Sequence, residues 1–261
     1  EKVENTEDEW IYLGKNNSIK KYFFNVSDNE YDDGLVISIL KDTVFIEEEF
    51  FNNKFNNEEN EENNDIDEIT FLNQLFDITN SSGLNYDFSE LVNLHISIKT
   101  NPLTIISGMS GTGKSKLATS YVKNIGCTDE DLTSLFLPIS PSYIEPKDIL
   151  GYFDSKTNTY IPSETGFVDL LINASKNPDK LHFVIFDEMN LSQVEYWFAP
   201  FISLLELNEN RILRLYSKHI NCKNSDIYPS EIVIGDNIRF IGTVNLDETT
   251  KEFSDRVLDL I

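Results

Sequence analysis

The segment from residue 108 to residue 115 constrains this chain more than any other, because it reads Gly-Met-Ser-Gly-Thr-Gly-Lys-Ser. Every fixed position of the pattern Gly-x-x-x-x-Gly-Lys-Ser/Thr is matched. An apolar run, Leu103 to Ser107, precedes the segment, and a stretch of helical character, Lys116 to Asn124, follows it. The order of strand, glycine-rich loop and helix predicts a phosphate-binding loop. Glycines let successive backbone N–H groups turn toward phosphates, and the helix directs the positive end of its dipole at them.

Two side chains at the end of this loop have predicted roles. We expect Lys114 to reach the β- and γ-phosphates of a nucleotide and the Ser115 hydroxyl to ligate Mg²⁺. A glycine-rich turn that matches the pattern by chance is the alternative, which the order of the elements disfavours. The predicted nucleotide-binding residues are Gly108, Met109, Ser110, Gly111, Thr112, Gly113, Lys114, Ser115 and Lys116.

Charge and composition exclude several classes of partner. A net charge of −24 argues against a general surface that binds nucleic acid or anionic membranes, so we expect DNA contact only indirectly or through parts outside this chain. No apolar run approaches the roughly 18 residues of a membrane span, and the acidic N-terminus does not resemble a signal peptide. We therefore expect no membrane contact and a cytoplasmic protein. Cys127 and Cys222 match no metal or redox spacing, and the isolated histidines His95, His182 and His219 are expected to be structural.

The pattern of the chain changes twice. Residues 1–51 carry strand-like runs at Trp10–Leu13, Lys21–Val26 and Leu35–Ile46, which predict a small β-rich module. Residues 52–68 are acidic and rich in asparagine, and they predict a linker or an exposed loop. Residues 69–261 predict an α/β core, and we expect this chain to be a fragment that ends before a further helical part.

Within that core, short apolar runs alternate with helical patterns. The helices are predicted at 69–78 and 87–99, and a hairpin is predicted from Ile212–Tyr216 and Ile232–Ile234, most simply as a connection that covers a sheet edge. Alternating strands and helices predict a parallel sheet with helices on both faces and a ligand at the carboxyl ends of its strands. The predicted strands are Leu103–Ser107, Ser134–Ile139, His182–Phe186 and Ile238–Thr243.

Two of these strands deliver polar residues to the same edge. The run His182–Phe186 ends in Asp187 and Glu188, which we assign to Mg²⁺ and to the attacking water, respectively. Alone, two such acids would more often be a helix cap or a solvated turn, but an upstream phosphate loop favours the functional interpretation. Asn245 follows the strand Ile238–Thr243 and either contacts the γ-phosphate and its attacking water or simply begins a turn. The pattern leaves both possibilities open.

Taken together, these motifs resemble those of the AAA+ NTPases, over residues 85–261. The runs Phe186–Glu195, with a helix continuing to Glu206, and Pro141–Phe153 are similar to the McrB-type branch, the motor subunits of modification-dependent restriction systems. By this resemblance, Gly108–Ser115 is the Walker A loop, Asp187 and Glu188 are the Walker B acids, and Asn245 is the first sensor.

The resemblance also implies an assembly. Members form rings, usually hexamers, in which an arginine of one subunit reaches the nucleotide of the next, and the branch works with a separate nuclease subunit. Arg256 lies near the expected place of that arginine, whereas the expected position itself holds Leu260; Arg256 could equally be a helix-surface residue paired with an acid. The catalytic residues are therefore predicted to be Glu188, Lys114, Asn245 and Arg256.

Departures from the branch leave the base of the nucleotide open. The McrB-type signature has methionine and aspartate where this chain has Val244 and Glu248, so we favour ATP and keep GTP possible. A nucleotide-gated scaffold with little hydrolysis remains an alternative because of Leu260. A P-loop kinase is less consistent with Glu188, which suits activation of water.

Overall fold

The computed structural model describes residues 68–207, 209–246 and 253–258, together with the backbone of five short strands before residue 46. The chain divides into two compact units, Glu1–Thr100 and Asn101–Ile261. None of the described helices combines the length and the hydrophobicity that a membrane crossing demands. The predicted division of the chain at residues 51 and 68 remains a prediction, and residues 52–67 lie outside the described residues.

The first unit contains antiparallel strands and two helices. Strands β1, β2 and β3 form one sheet and β4 and β5 a separate hairpin. Helices α1 and α2 start one residue from their predicted starts and run on to Ser81 and Thr100, and both bury leucines such as Leu75 and Leu91. The bounds are β1 Lys2–Thr6, β2 Glu9–Leu13, β3 Val26–Ser27, β4 Ser38–Leu40, β5 Thr43–Phe45, α1 Glu68–Ser81 and α2 Phe88–Thr100.

The second unit is built on a four-stranded parallel sheet. Its strands are those that the sequence predicts, with their ends shifted by one or two residues, and their spatial order is β6-β13-β10-β7. The strand that ends in Asn245 therefore lies between two others: the strand before the phosphate loop on one side and the strand that ends in Asp187 on the other. These strands are β6 Leu103–Gly108, β7 Ser134–Pro138, β10 His182–Asp187 and β13 Ile238–Asn245.

Helices cover both faces of this sheet, as predicted for an α/β P-loop fold. Phe183 and Phe186 of β10 are three residues apart, so their side chains point to opposite faces. The ring of Phe183 contacts Tyr121 of one helix, and the ring of Phe186 contacts Phe167 of another. The helices are α3 Lys114–Asn124, α4 Lys147–Leu150, α5 Phe167–Lys176, α6 Val194–Trp197, α7 Ala199–Leu205 and α8 Asp255–Leu258.

Aromatic residues dominate the core on one face of the sheet. Phe186 and Phe240 stack from neighbouring strands with their ring centroids 5.8 Å apart, and Phe198 and Phe201 pack on Phe240. The single helix expected to continue to Glu206 is instead two helices, α6 and α7. Pro200 lies in the first turn of α7, where its missing N–H and fixed φ are tolerated, so the chain restarts a helix there.

Two hairpins complete the second unit. The hairpin of β11 (Ile212–Arg214) and β12 (Glu231–Val233) is confirmed, but it packs on α7 and α5 and forms a sheet of its own. A second hairpin, β8 (Gly151–Asp154) with β9 (Thr159–Pro162), does not follow from the sequence pattern. The Asn224 side chain joins the two hairpins by bonding both the N–H and the carbonyl of Tyr160, at 2.9 and 2.8 Å.

Candidate nucleotide and metal site

The glycine-rich segment forms the predicted loop between β6 and α3. Gly111 and Gly113 have φ values of 79° and 87°, in the left-handed region that glycine enters without a steric cost. Gly113 is the residue before the first turn of α3, so its conformation turns the loop into the helix. The residues at the loop tip, Met109, Ser110 and Thr112, are exposed.

Lys114 lies inside this loop, although lysine is seldom buried. It is 7% exposed, and its Nζ donates to the carbonyl oxygens of Gly108 and Met109, at 3.0 and 2.7 Å. The Thr112 hydroxyl also donates to the Met109 carbonyl, at 2.9 Å. Both acceptors of the ammonium are neutral, so a phosphate anion would be a stronger partner for it at nearly the same place. Lys116, in contrast, is exposed on α3.

Ser115 and Asp187 meet across the site, as the predicted metal ligands must. The Ser115 hydroxyl donates to Asp187 Oδ1, which also accepts from the Thr243 hydroxyl at 2.8 Å. A hydroxyl and a carboxylate are the hard oxygen ligands that Mg²⁺ binds, with its remaining positions filled by water and phosphate. The described residues hold no group of three or more His, Cys, Asp or Glu that would form an all-protein metal cage. The pair therefore fits a Mg²⁺ bound together with a nucleotide.

Glu188 has an unusual backbone conformation. Its φ and ψ are 51° and 50°, left-handed values that a residue with a side chain adopts at a cost. Two side chains of β13 hold it in place: Thr243 Oγ accepts from the Glu188 N–H at 3.0 Å, and Asn245 Nδ2 donates to Glu188 Oε1 at 3.0 Å. The strained turn and these two bonds hold the carboxylate against β13.

Asn245 lies beside the start of the phosphate loop. It is the last residue of β13 and pairs in register with Gly108, and the next residue, Leu246, donates its N–H to the Gly108 carbonyl at 3.2 Å. Its amide contacts Glu188, so the structure brings together Lys114, Ser115, Asp187, Glu188 and Asn245 at one edge of the sheet.

Two residues of this network were not predicted from the sequence. Thr243 is 1% exposed and Asn190 is 3% exposed, and both bond to the predicted residues. Thr243 precedes Asn245 by two positions, so the two side chains share a face of β13. That spacing was the available signal for Thr243. Asn190 lies in a 3₁₀ turn, Met189–Leu191, whose geometry the sequence does not disclose.

Arg256 is not joined to this site in the structure. Its side chain is exposed on α8, and within the described residues no hydrogen bond or ion pair links it to Lys114, Asp187 or Glu188. Helix α8 is anchored at both sides of Arg256, because Val257 is fully buried and the Ser254 N–H donates to Glu195 Oε1 at 2.7 Å. The helix that carries the exposed Arg256 side chain is therefore packed against the rest of the second unit.

Two histidines, His95 and His182, and both cysteines are buried away from the site. His182 bonds the Lys180 carbonyl at 2.8 Å and the Asn173 amide at 3.1 Å, and burial lowers its pKa. Burial also lowers the pKa of His95 to about 4 and raises the pKa of the Cys127 thiol. These groups are uncharged at neutral pH, which agrees with the structural role expected for His95 and His182; the same expectation for His219, which is exposed, stays a prediction.

Comparisons with known proteins give distant structural likeness alone. No protein-family profile and no curated protein matches this chain. A proposed ATPase from Cytophaga hutchinsonii is 13% identical with a TM-score of 0.42 over 74% of this chain. C. elegans PCH-2 is 17% identical with a TM-score of 0.33 over 72% of this chain. The alignments span 50% and 39% of those two chains, and likeness at this level does not extend to substrate or partner.

Proposed function

We propose that this chain binds a nucleoside triphosphate with Mg²⁺ and hydrolyses its β–γ phosphoanhydride bond as an AAA+ ATPase. One observation carries the proposal: the Ser115–Asp187 contact brings the phosphate loop to the strand end that also presents Glu188. A phosphate loop alone would fit any protein that binds nucleotides. A phosphate loop beside a metal-ligating pair and a second, separately held carboxylate fits hydrolysis.

The residues of the site have different roles in phosphoryl transfer. The N–H groups of Gly111–Ser115 and the Lys114 ammonium bind the β- and γ-phosphates, while Ser115 and Asp187 hold the metal. When bound, Mg²⁺ would neutralise part of the negative charge on the phosphate oxygens. Glu188 orients a water molecule and accepts its proton as that water attacks the γ-phosphorus; the bond from phosphorus to the β–γ bridging oxygen breaks, and nucleoside diphosphate and inorganic phosphate are the products. The Asn245 amide, at 3.0 Å from Glu188 Oε1, restrains the carboxylate and can donate to the γ-phosphate.

The finer parts of the proposal derive from the motif resemblance. We propose a homo-oligomeric ring of the McrB type, hexameric by that resemblance, in which Arg256 reaches the nucleotide of the neighbouring subunit. A separate nuclease subunit would then use the motor in a restriction or defence complex. ATP is the favoured nucleotide and GTP the alternative. The anchored, exposed position of Arg256 on α8 supports a role at a subunit boundary.

Replacement of Glu188 by Gln tests hydrolysis. The amide keeps the size and the hydrogen bonds of the side chain but cannot accept a proton, so nucleotide affinity is expected to stay within about threefold while phosphate release falls by about 100-fold or more. Phosphate release at unchanged rate in Glu188→Gln would overturn the proposed role of Glu188.

Protein concentration separates the motor from the scaffold that Leu260 suggests. A shared site between subunits predicts turnover per subunit that rises with protein concentration until the ring is complete. Slow turnover that is independent of concentration would favour a nucleotide-gated scaffold. Transfer of phosphate by the natural chain to a molecule other than water would favour the kinase alternative, whereas a Glu188→Gln variant that traps bound nucleotide without product would count against it.

A further inference from the structure

The side chain of Asn190 takes the place of a sheet partner at the end of β13. The ladder between β10 and β13 runs to the pair Phe186 and Gly242, after which β10 turns away. On the other side, β6 continues to pair with β13 as far as Asn245. The N–H and the carbonyl of Asn245 point to the side that β10 has left, and the Asn190 amide bonds both: Nδ2 donates to the carbonyl at 2.9 Å, and Oδ1 accepts from the N–H at 3.4 Å.

Because Asn190 is buried, its side-chain amide requires hydrogen-bond partners. Asn190 is 3% exposed, and both ends of a buried amide need partners because an unpaired polar group in the interior is costly. A primary amide is the side chain that donates and accepts in the geometry of a peptide group. Aspartate would lack the donor and leucine would lack both, so asparagine matches this position.

The contact closes a loop of bonds around Glu188. Glu188 is covalently linked through Met189 to Asn190, the Asn190 amide bonds the Asn245 backbone, and Asn245 Nδ2 bonds Glu188 Oε1. The left-handed conformation of Glu188, with φ of 51°, needs such restraint to persist. A shift of Asn190 would therefore move the sensor amide and the carboxylate relative to each other.

From this closed loop we propose that Asn190 is a positioning residue for hydrolysis, which acts through Asn245 to set the Glu188 carboxylate. The inference rests on the proposed function, because it assigns Asn190 to the same site. It makes two predictions for Asn190→Ala: kcat falls about 10- to 100-fold, as for a misplaced catalytic group, and the nucleotide Kd changes by less than about threefold. Among the described residues, the side-chain amide of Asn190 bonds to Asn245 and makes no hydrogen bond to residues 108–115 of the phosphate loop, which sets the affinity.

A double-mutant cycle with Asn245→Ala measures whether Asn190 acts through Asn245. If it does, the double variant is no slower than Asn245→Ala alone, within about twofold. Independent losses that multiply would overturn the inference, and so would a kcat of Asn190→Ala equal to that of the natural chain. If Asn245→Ala alone leaves kcat unchanged, the sensor role in the proposed function fails, which is a distinguishable result.

Ser192→Ala is the matched control for loss of stability. Ser192 is 2% exposed in the same segment and donates to the Tyr143 carbonyl, away from Asn245. The Ser192→Ala variant loses one buried hydrogen bond, so we expect it to have a lower unfolding midpoint and an unchanged kcat. A kcat loss in Ser192→Ala equal to that in Asn190→Ala would mean that the segment acts only through stability. Should Asn190→Ala fail to fold, Asn190→Asp keeps the size and the acceptor, and the cycle is run with it under the same two criteria.

Discussion

Replacement of Thr243 by valine tests the link between β13 and the two acids. Valine has nearly the shape of threonine, so the change removes a hydroxyl without opening a cavity. That hydroxyl donates to Asp187 Oδ1 at 2.8 Å and accepts from the Glu188 N–H at 3.0 Å. The substitution thus breaks both bonds while the packing around a side chain that is 1% exposed stays filled.

The two lost bonds set the expected cost. The Glu188 N–H, whose bond to Thr243 is partly buried, loses its acceptor, and a donor left unpaired there costs about 1–3 kcal/mol. Asp187 keeps its bond from Ser115 and is partly exposed, so the second loss adds about 1 kcal/mol. We expect Thr243→Val to lower the free energy of unfolding by about 2–4 kcal/mol. The control, Thr243→Ser, keeps the hydroxyl and loses one methyl group, which costs about 1 kcal/mol.

Urea unfolding measures this difference, with the fluorescence of buried Trp197 as the probe in a Trp10→Phe background. Phosphate release by the same proteins should fall in Thr243→Val and be retained in Thr243→Ser, because the valine also releases the restraint on Glu188. A valine variant as stable and as active as the serine variant would refute the assignment of the hydroxyl as the bridge.

Three further outcomes follow from the geometry. Gly151→Ala should lower the free energy of unfolding by about 2–4 kcal/mol, because φ at this position is 98° and the new Cβ would lie 2.2 Å from the Ile161 carbonyl oxygen. A urea midpoint equal to that of the natural chain would contradict this close approach. Chelation of Mg²⁺ with EDTA should abolish phosphate release, and added Mg²⁺ should restore it, since Ser115 and Asp187 form an incomplete ligand set; undiminished release in EDTA would exclude the metal role. Arg256→Ala should leave nucleotide affinity unchanged and reduce concentration-dependent turnover about 10³-fold or more, and a variant with full turnover would remove Arg256 from the mechanism.

The sequence predicted the structure well at positions where steric or chemical requirements allow few residue types. Gly111 and Gly113 stand where the loop needs left-handed φ, and the apolar run before Asp187 forms a strand that is buried on both faces. Periodicity and these fixed positions sufficed to predict the four parallel strands and the residues that they carry to one edge. The chemistry of Asp187 and Glu188 depends on proximity to the loop, which the order of elements in an α/β sheet already implies.

Contacts between residues far apart in the chain could not be predicted from the sequence. The contacts of Thr243 and Asn190 depend on the order of strands and on the turn after Glu188, neither of which has a local pattern. The β8–β9 hairpin was also not predicted, because its strands have four residues each and one of them is bonded by the side chain of Asn224, more than 60 positions along the chain. The break between α6 and α7 was visible in Pro200, yet the resemblance favoured one helix.

Nucleotide binding by Lys114→Ala tests the central claim most directly. Calorimetric titration of the natural chain and of this variant, each with ATP and with GTP in the presence of Mg²⁺, compares affinities that depend on one buried ammonium. The account predicts binding of at least one of the two nucleotides by the natural chain and a loss of affinity of about 100-fold or more in the variant, the effect of removing a charged partner of phosphate. Equal affinity of the two proteins would contradict the assignment of residues 108–115 as the phosphate site.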